Sequence, residues 1–367
     1  SPTPLVSSSI CFYPHPLLFQ LNQSSKKFRR AVWCSVALIL VVLYYAYEFT
    51  ASDDLAKYPL DVNLTQMYEQ YSMIPNWVPS IYGIDPASFP RLRAPTHLCS
   101  AVRQSVAGSE TILDVLLVIK TRVNSFDQRR SIRNTWGNSS CAPNGRARIR
   151  TIFVLGRAAS MTTPSLESKL QMEQEHYNDL LQFDFVDTYR NNTYKVMTAL
   201  DYVSRKCNNT NFVILVDDDF LVNPNTLIQA ISKVNAVEYS TYVSGQILFT
   251  HQPERTPWSK WFVHYWEYPY RVFPPYPSGG TVIMSMPVVR LVAFGMRFVQ
   301  FFWIDDVYLG IVLNKFGIIP QTLPGVYLKP VVTGSELFGM ISSHGFGNPA
   351  KMEQGWKRLL RAGVCAT

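Results

Sequence analysis

Charge is what this sequence has least of. Only 16% of its 367 residues are Asp, Glu, Lys or Arg, where globular chains average about 25%. With 47% apolar residues, this excludes a chain disordered throughout. Cysteine is also sparse, at 6 in the whole chain, which excludes a disulfide-built scaffold. No C-x-x-C pair and no His/Cys spacing of the zinc-binding kind occurs, so no zinc site is expected. The net charge of +8 is diffuse apart from Lys26, Lys27, Arg29 and Arg30. A diffuse excess lays down no basic stripe, so no nucleic-acid partner is expected. It remains compatible with a small polyanion such as a nucleotide diphosphate.

Apolar and aromatic residues are abundant instead. Aromatics reach 13% and the mean hydropathy is +0.00, high for a soluble chain. One source is the uncharged run from Ala31 to Tyr47, AVWCSVALILVVLYYAY. It sits at the short end of the ~17–25 residues needed to span hydrocarbon. Tyr44, Tyr45 and Tyr47 end it, the basic cluster precedes it, and Glu48, Asp53 and Asp54 follow. That asymmetry predicts a signal anchor at 31–49, a cytoplasmic tail at 1–30 and a translocated remainder. A cleaved signal peptide competes, but the run is longer than a ~7–15-residue h-region and begins late. Residues 50–110 read as a proline-interrupted stem, and 111–367 as the folded domain. Asn63, Asn138, Asn191 and Asn208 open N-x-Ser/Thr triplets. Cys99, Cys141, Cys207 and Cys365 lie on the translocated side, with three possible pairings.

From residue 112 short apolar runs alternate with amphipathic ones. Strands are expected at 112–119, 149–155, 183–186 and 212–216. Helices are expected at 127–136, 165–177 and 193–206, where Val196, Leu200 and Val203 repeat at helical spacing. Such alternation predicts an α/β domain with a mostly parallel central sheet, whose ligands bind beyond the carboxyl ends of the strands.

Three charged clusters fall where that rule would use them. Phe212–Val216 runs into Asp217-Asp218-Asp219. Adjacent carboxylates repel, and a hard divalent cation would relieve them while bridging to phosphate oxygens. An acidic turn is the plainer alternative. Asp305-Asp306 follows Phe301-Phe-Trp-Ile304. A partly desolvated carboxylate there suits a general base, or an N-cap for the helix expected at 307–316. Arg129 and Arg133 are four residues apart and share a helical face. They read either as a fork for a diphosphate or as a solvated face.

These clusters, in this order behind an anchor, resemble the β-1,3-galactosyltransferase family of Golgi enzymes, which includes β-1,3-N-acetylglucosaminyltransferases. The family's R-x-x-I-R-x-T-W-G is matched by Arg129 to Gly137. Its D-x-Y-x-N-L-T-x-K is matched by Asp187 to Lys195, with Asn192 where Leu is usual. D-D-D stands at Asp217–Asp219, and Y-P-x-Y-x-S-G-G is matched around Pro275 to Gly280. E-D-V-Y-x-G is matched from Asp305 to Gly310, with Asp for Glu.

The resemblance implies a nucleotide-sugar-binding α/β fold of the GT-A type. It implies inverting transfer from a UDP-sugar to a glycan acceptor on protein or lipid, with Mn²⁺ as cofactor. Asp306 maps onto the catalytic base. Asp217 and Asp219, with His344, would hold the metal, unless His344 is a surface-loop histidine. Arg129, Arg133, Asp187, Lys195, Asp217 and Asp218 fall on the donor side. Galactose is the expected sugar and N-acetylglucosamine the alternative. Asp305 and Asn192 leave open a non-catalytic sugar-binding relative. The aromatic stretch from Trp258 to Tyr276 is the acceptor-side expectation.

Overall fold

The computed structural model describes residues 16–50, 62–74, 77, 83–97, 99, 112–137, 147–159, 164–331, 336–361 and 363. The chain forms two units, Ser1–Asp53 and Asp54–Thr367. The first holds helix α1 (Pro16–Thr50), with side chains described for 26–44, all of them exposed. Among the described residues no helix is long and apolar enough to cross a membrane. The run from Ala31 to Tyr47 continues past Tyr44, where that description stops.

The second unit contains, in order, α2 (Leu64–Met73), β1 (Arg91–Arg93), β2 (Leu113–Lys120), α3 (Phe126–Arg133), β3 (Ala147–Arg157), α4 (Pro164–Tyr177), β4 (Leu180–Val186) and α5 (Asn192–Lys206). Then come β5 (Phe212–Asp217), β6 (Phe220–Val222), α6 (Pro224–Ile231), α7 (Ala236–Tyr239), β7 (Val243–Leu248), β8 (Tyr276–Ser285), α8 (Met286–Gly295) and α9 (Asp305–Lys315). The unit ends with β9 (Gln321–Thr322), β10 (Val326–Tyr327), α10 (Glu336–Gly339), β11 (Ser342–His344) and α11 (Pro349–Arg361).

The main sheet has the order β1-β4-β3-β2-β5-β8-β7-β9. Its centre, β4-β3-β2-β5, is parallel, as the four apolar runs predict. β8 joins β5 antiparallel, β7 joins β8 antiparallel, and β1 joins β4 antiparallel. With β9 parallel to β7, the sheet is mixed, its parallel centre flanked by antiparallel pairings. Strand direction explains the central composition: a strand covered on both faces is apolar at every position. In β2, Leu116 and Val118 enter one core cluster while Val115, Leu117 and Ile119 enter the other. Helices α5, α8 and α9 cover the first face, and α3 and α11 the second. From β2 the chain proceeds to β3 on one side and reaches β5 on the other. The switch point lies between the carboxyl ends of β2 and β5, where Lys120 pairs in register with Asp217.

The expected stem differs from what is found. Leu64 is fully buried in the core, α2 packs on α8, and β1 is an edge strand of the main sheet. Cys99 forms a disulfide with Cys207 at the end of α5; Cys141 and Cys365 lie outside the described residues. The Cys99→Ser variant is expected to lose about 2–5 kcal/mol, read as a lower urea midpoint. Asn63 caps α2 through its Oδ1. Asn191 donates its Nδ2 to the Val186 carbonyl at 2.7 Å.

Candidate active site

The cleft opens at the switch point and holds about 530 Å³. Lys120, Asp217, Asp219, Gly279, Gly280, Asp305, Asp306 and His344 all contribute to its walls. Lys120 is the residue that the motif reading missed. Its signal was present: a charge ending a continuous apolar strand, as Asp217 ends β5. Its buried ammonium lies 2.9 Å from Asp217 Oδ1 and 2.6 Å from Asp305 Oδ2. Burial alone would lower its pKa, but the two carboxylates together outweigh burial and raise it. Asp217 is pushed up to about 7, chiefly by burial and against the pull of Lys120.

Helix α9 begins at Asp305 itself with Ile304 as its N-cap. Both carboxylates therefore lie in the first turn, where the helix dipole favours negative charge. Asp305 is committed to Lys120. Asp306 instead accepts from two backbone amides, Gly279 N–H to Oδ2 at 3.0 Å and Val307 N–H to Oδ1 at 2.8 Å. Burial and then Asp305 push it up to about 6, against Lys120 and these amides. Gly280, in the strand beside it, is a matter of space. A Cβ at Gly280 would stand 1.9 Å from the Phe220 ring. At Gly310, a Cβ would stand 2.4 Å from Tyr276, so this glycine lets α9 lie directly on β8.

Across the cleft, the second sheet sets the opposing pair. It has the order β10-β11-β6, and its register places His344 beside Phe220, next in sequence to Asp219. His344 Nε2 is 3.1 Å from Asp219 Oδ2. Asp219 Oδ1 is buried with no hydrogen-bond partner. A carboxylate oxygen left over beside an imidazole is a donor set for a divalent cation that takes its other ligands from a phosphate. Among the described residues no group of three or more His, Cys, Asp or Glu is placed to hold a metal ion. Asp218 points elsewhere. Its Oδ2 accepts from the Thr121 hydroxyl at 2.7 Å, and its carbonyl accepts from Gln128 Nε2 at 2.6 Å.

A second cavity of about 510 Å³ adjoins the cleft at Tyr189 and Asn192, which line both. Asp187 and Lys195 stand in its wall, paired at 2.8 Å and nearly fully buried. Lys195 also donates to the Thr121 carbonyl, and Asp187 accepts from Gly156 N–H. This pair joins β4 and α5 to the ends of β2 and β3. Asn192, the polar departure, lines the passage between the two cavities.

The arginines are corrected by the structure. Arg129 is fully buried and donates to both oxygens of Glu173, at 2.8 and 2.6 Å, and to the Arg122 carbonyl. Arg133 donates to both oxygens of Asp179 at 2.8 Å and reaches Glu173. Their shared face is real, but it meets α4 and the start of β4 rather than a cavity. The aromatic stretch also divides. Trp261, Phe273 and Tyr276 line the cleft, where His251 hydrogen-bonds the Tyr276 hydroxyl. Trp258 and Trp266 are surface residues, 88% and 77% exposed.

The family model for galactosyltransferases matches residues 127–324. The β-1,3-galactosyltransferase brn of Drosophila melanogaster is 31% identical over 248 residues, 67% of this chain and 74% of that one. The human lactosylceramide 1,3-N-acetyl-β-D-glucosaminyltransferase is 31% identical, covering 56% of this chain and 55% of its own length. The chain thus spans little more than half of that relative. The solved structure of mouse xyloside xylosyltransferase 1 in its apo form aligns at 11% identity, covering 64% of this chain and 98% of that one. Its TM-score of 0.32 is too low to bear on the fold. The extent of the family match, with the fly relative at this coverage, makes the chain a member of the galactosyltransferase family and a glycosyltransferase.

Proposed function

We propose that the chain is an inverting β-1,3-hexosyltransferase of the GT-A type. It moves galactose from UDP-galactose to the 3-hydroxyl of a glycan acceptor on protein or lipid. One observation carries this reading: of the paired carboxylates, Asp305 is tied to Lys120 and Asp306 is held by two amides with its pKa near 6. Inversion needs one base to take the proton of the attacking hydroxyl, and no second carboxylate as nucleophile. Asp306 is that base. Asp187 and Lys195 shape the neighbouring cavity for the nucleotide part of the donor.

Asp219 and His344, with Asp217 alongside, are the residues that would hold Mn²⁺. When bound, the ion supplies the positive charge that stabilises a departing diphosphate. The buried, unpartnered Asp219 Oδ1 supports this. The reading also places the chain in the Golgi membrane as a single-pass type II protein anchored by Ala31–Tyr47. The basic flank and the Cys99–Cys207 disulfide support that compartment.

The name of the human relative favours a second reading, β-1,3-N-acetylglucosaminyl transfer from UDP-N-acetylglucosamine. A donor screen with Mn²⁺ and a glycan acceptor array separates them. Galactose incorporation, lost on chelation, is the expected result. Incorporation from UDP-N-acetylglucosamine alone would replace the first reading with the second. UDP binding with no transfer from any donor would leave a non-catalytic sugar-binding relative.

A further inference from the structure

A third hollow lies beside the cleft, about 240 Å³ in volume and walled by Arg190, Asn191, Glu267, Gln300, Phe302 and Trp303. That is about eight water volumes at ~30 Å³ each, the scale of one sugar ring. The same two stretches of chain wall both spaces. Tyr189 and Asn192 face the cleft, while Arg190 and Asn191 between them face the hollow. Ile304, Asp305 and Asp306 face the cleft, while Gln300 to Trp303 face the hollow. The partition is a pair of aromatic side chains, with the Tyr189 and Trp303 rings 6.3 Å apart.

The chemistry of the hollow is distinctive. Trp303 is only 6% exposed, and its Nε1 is buried with no hydrogen-bond partner. Buried donors are nearly always paired, and an orphan costs about 1–3 kcal/mol. The exposed Arg190 guanidinium lies 4.4 Å from the Trp303 ring centroid, adding further donors. An indole N–H, a guanidinium and aromatic surface together suit a saccharide. Its hydroxyl, ring and acyl oxygens accept hydrogen bonds, and its C–H face lies on aromatic rings.

We propose that this hollow is an acceptor subsite for a second sugar of the acceptor glycan, set back from the sugar whose hydroxyl reacts. Neighbouring sugars of one chain bridge the aromatic partition, so the enzyme selects oligosaccharides over single sugars. The inference rests on the acceptor being a glycan.

The test uses the full chain, a saturating donor and acceptors sharing one terminal sugar, from monosaccharide to trisaccharide. The unaltered chain is expected to show rising kcat/KM with length. Trp303→Phe keeps the ring but removes the N–H. It should raise KM for the longer acceptors about tenfold, with kcat and the monosaccharide constants unchanged. Arg190→Ala, at an exposed position, should produce the same selective loss without risk to the fold. An equal loss at every acceptor length, or none at any, overturns the subsite while leaving the transferase reading intact. No transfer by the unaltered chain to any acceptor overturns both.

Discussion

Asp306→Asn is expected to lower kcat by two to four orders of magnitude, the range a positioned general base contributes. UDP affinity, measured by calorimetry, should stay close to that of the unaltered chain, because the cavity carrying Asp187 and Lys195 is untouched. The direction of the pKa predicts something further about stability. Asp306 is raised from 3.8 to about 6, so the fold disfavours its ionised form. That destabilisation is present above about pH 6 and disappears as the pH falls below 3.8. A neutral asparagine removes it, but has one acceptor oxygen for the two amides that Asp306 serves, so at pH 7 the variant should melt close to the unaltered chain. A dead enzyme of nearly unchanged stability marks a site whose charge serves chemistry rather than the fold. The unaltered enzyme should also lose kcat/KM as pH drops through about 6, where the base becomes protonated. The fall will be broad, because Asp217, raised to about 7, is paired with the same Lys120 whose charge acts on Asp306. Turnover retained in Asp306→Asn would remove the residue from the reaction.

Which parts of this arrangement were legible in the sequence follows from how each is held. The strands β2 to β5 were visible because full burial on both faces makes them continuous apolar runs. Charges that end such runs were legible as site residues, and Asp217, Asp219 and Asp306 do meet in one cleft. Lys120 has the same signature, but it stands as a single charge between Ile119 and Thr121, with no charged residue directly beside it. The antiparallel half was not visible. The apolar patterns of β7 and β8 are broken by Gly245 and Gly280, which are set by close approach rather than propensity. β1, Arg-Leu-Arg, has no strand pattern at all; it exists because the edge of β4 offers it partners. Leu64 alone gives no hint that α2 belongs to the core. His344 was legible as a residue but not as a neighbour, since its place beside Asp219 depends on β11 pairing with β6 across more than a hundred residues.

The arginines show where a motif and a geometry part company, and the difference is measurable. If Arg129 served a diphosphate, its loss would raise the donor KM and leave the melting temperature alone. Its full burial against Glu173 predicts the reverse. Breaking a buried ion pair costs about 3–5 kcal/mol, mostly because a charge is left uncompensated. Arg129→Leu should fall at the lower end, since Arg133 still reaches Glu173 at 2.8 Å. Arg129→Leu with Glu173→Leu should recover much of the loss, because apolar replacements of similar volume commonly match a buried pair. The pH dependence has a definite sign. Burial would raise the Glu173 pKa, but Arg129 and Arg133 outweigh it, and the net shift is downward from 4.5. Its contribution is therefore present above pH 4.5 and is lost as the pH falls through the depressed folded value. Asp179 runs the other way, raised by burial despite Arg133, and offsets part of this. The double variant should lack the Glu173 component of acid destabilisation. A donor KM raised tenfold in Arg129→Leu at an unchanged melting temperature would put the guanidinium back on the donor. A lower melting temperature with an unchanged KM makes R-x-x-I-R a packing signature, one that clamps α3 to α4 and so holds the carboxyl end of β2, with Lys120, in place.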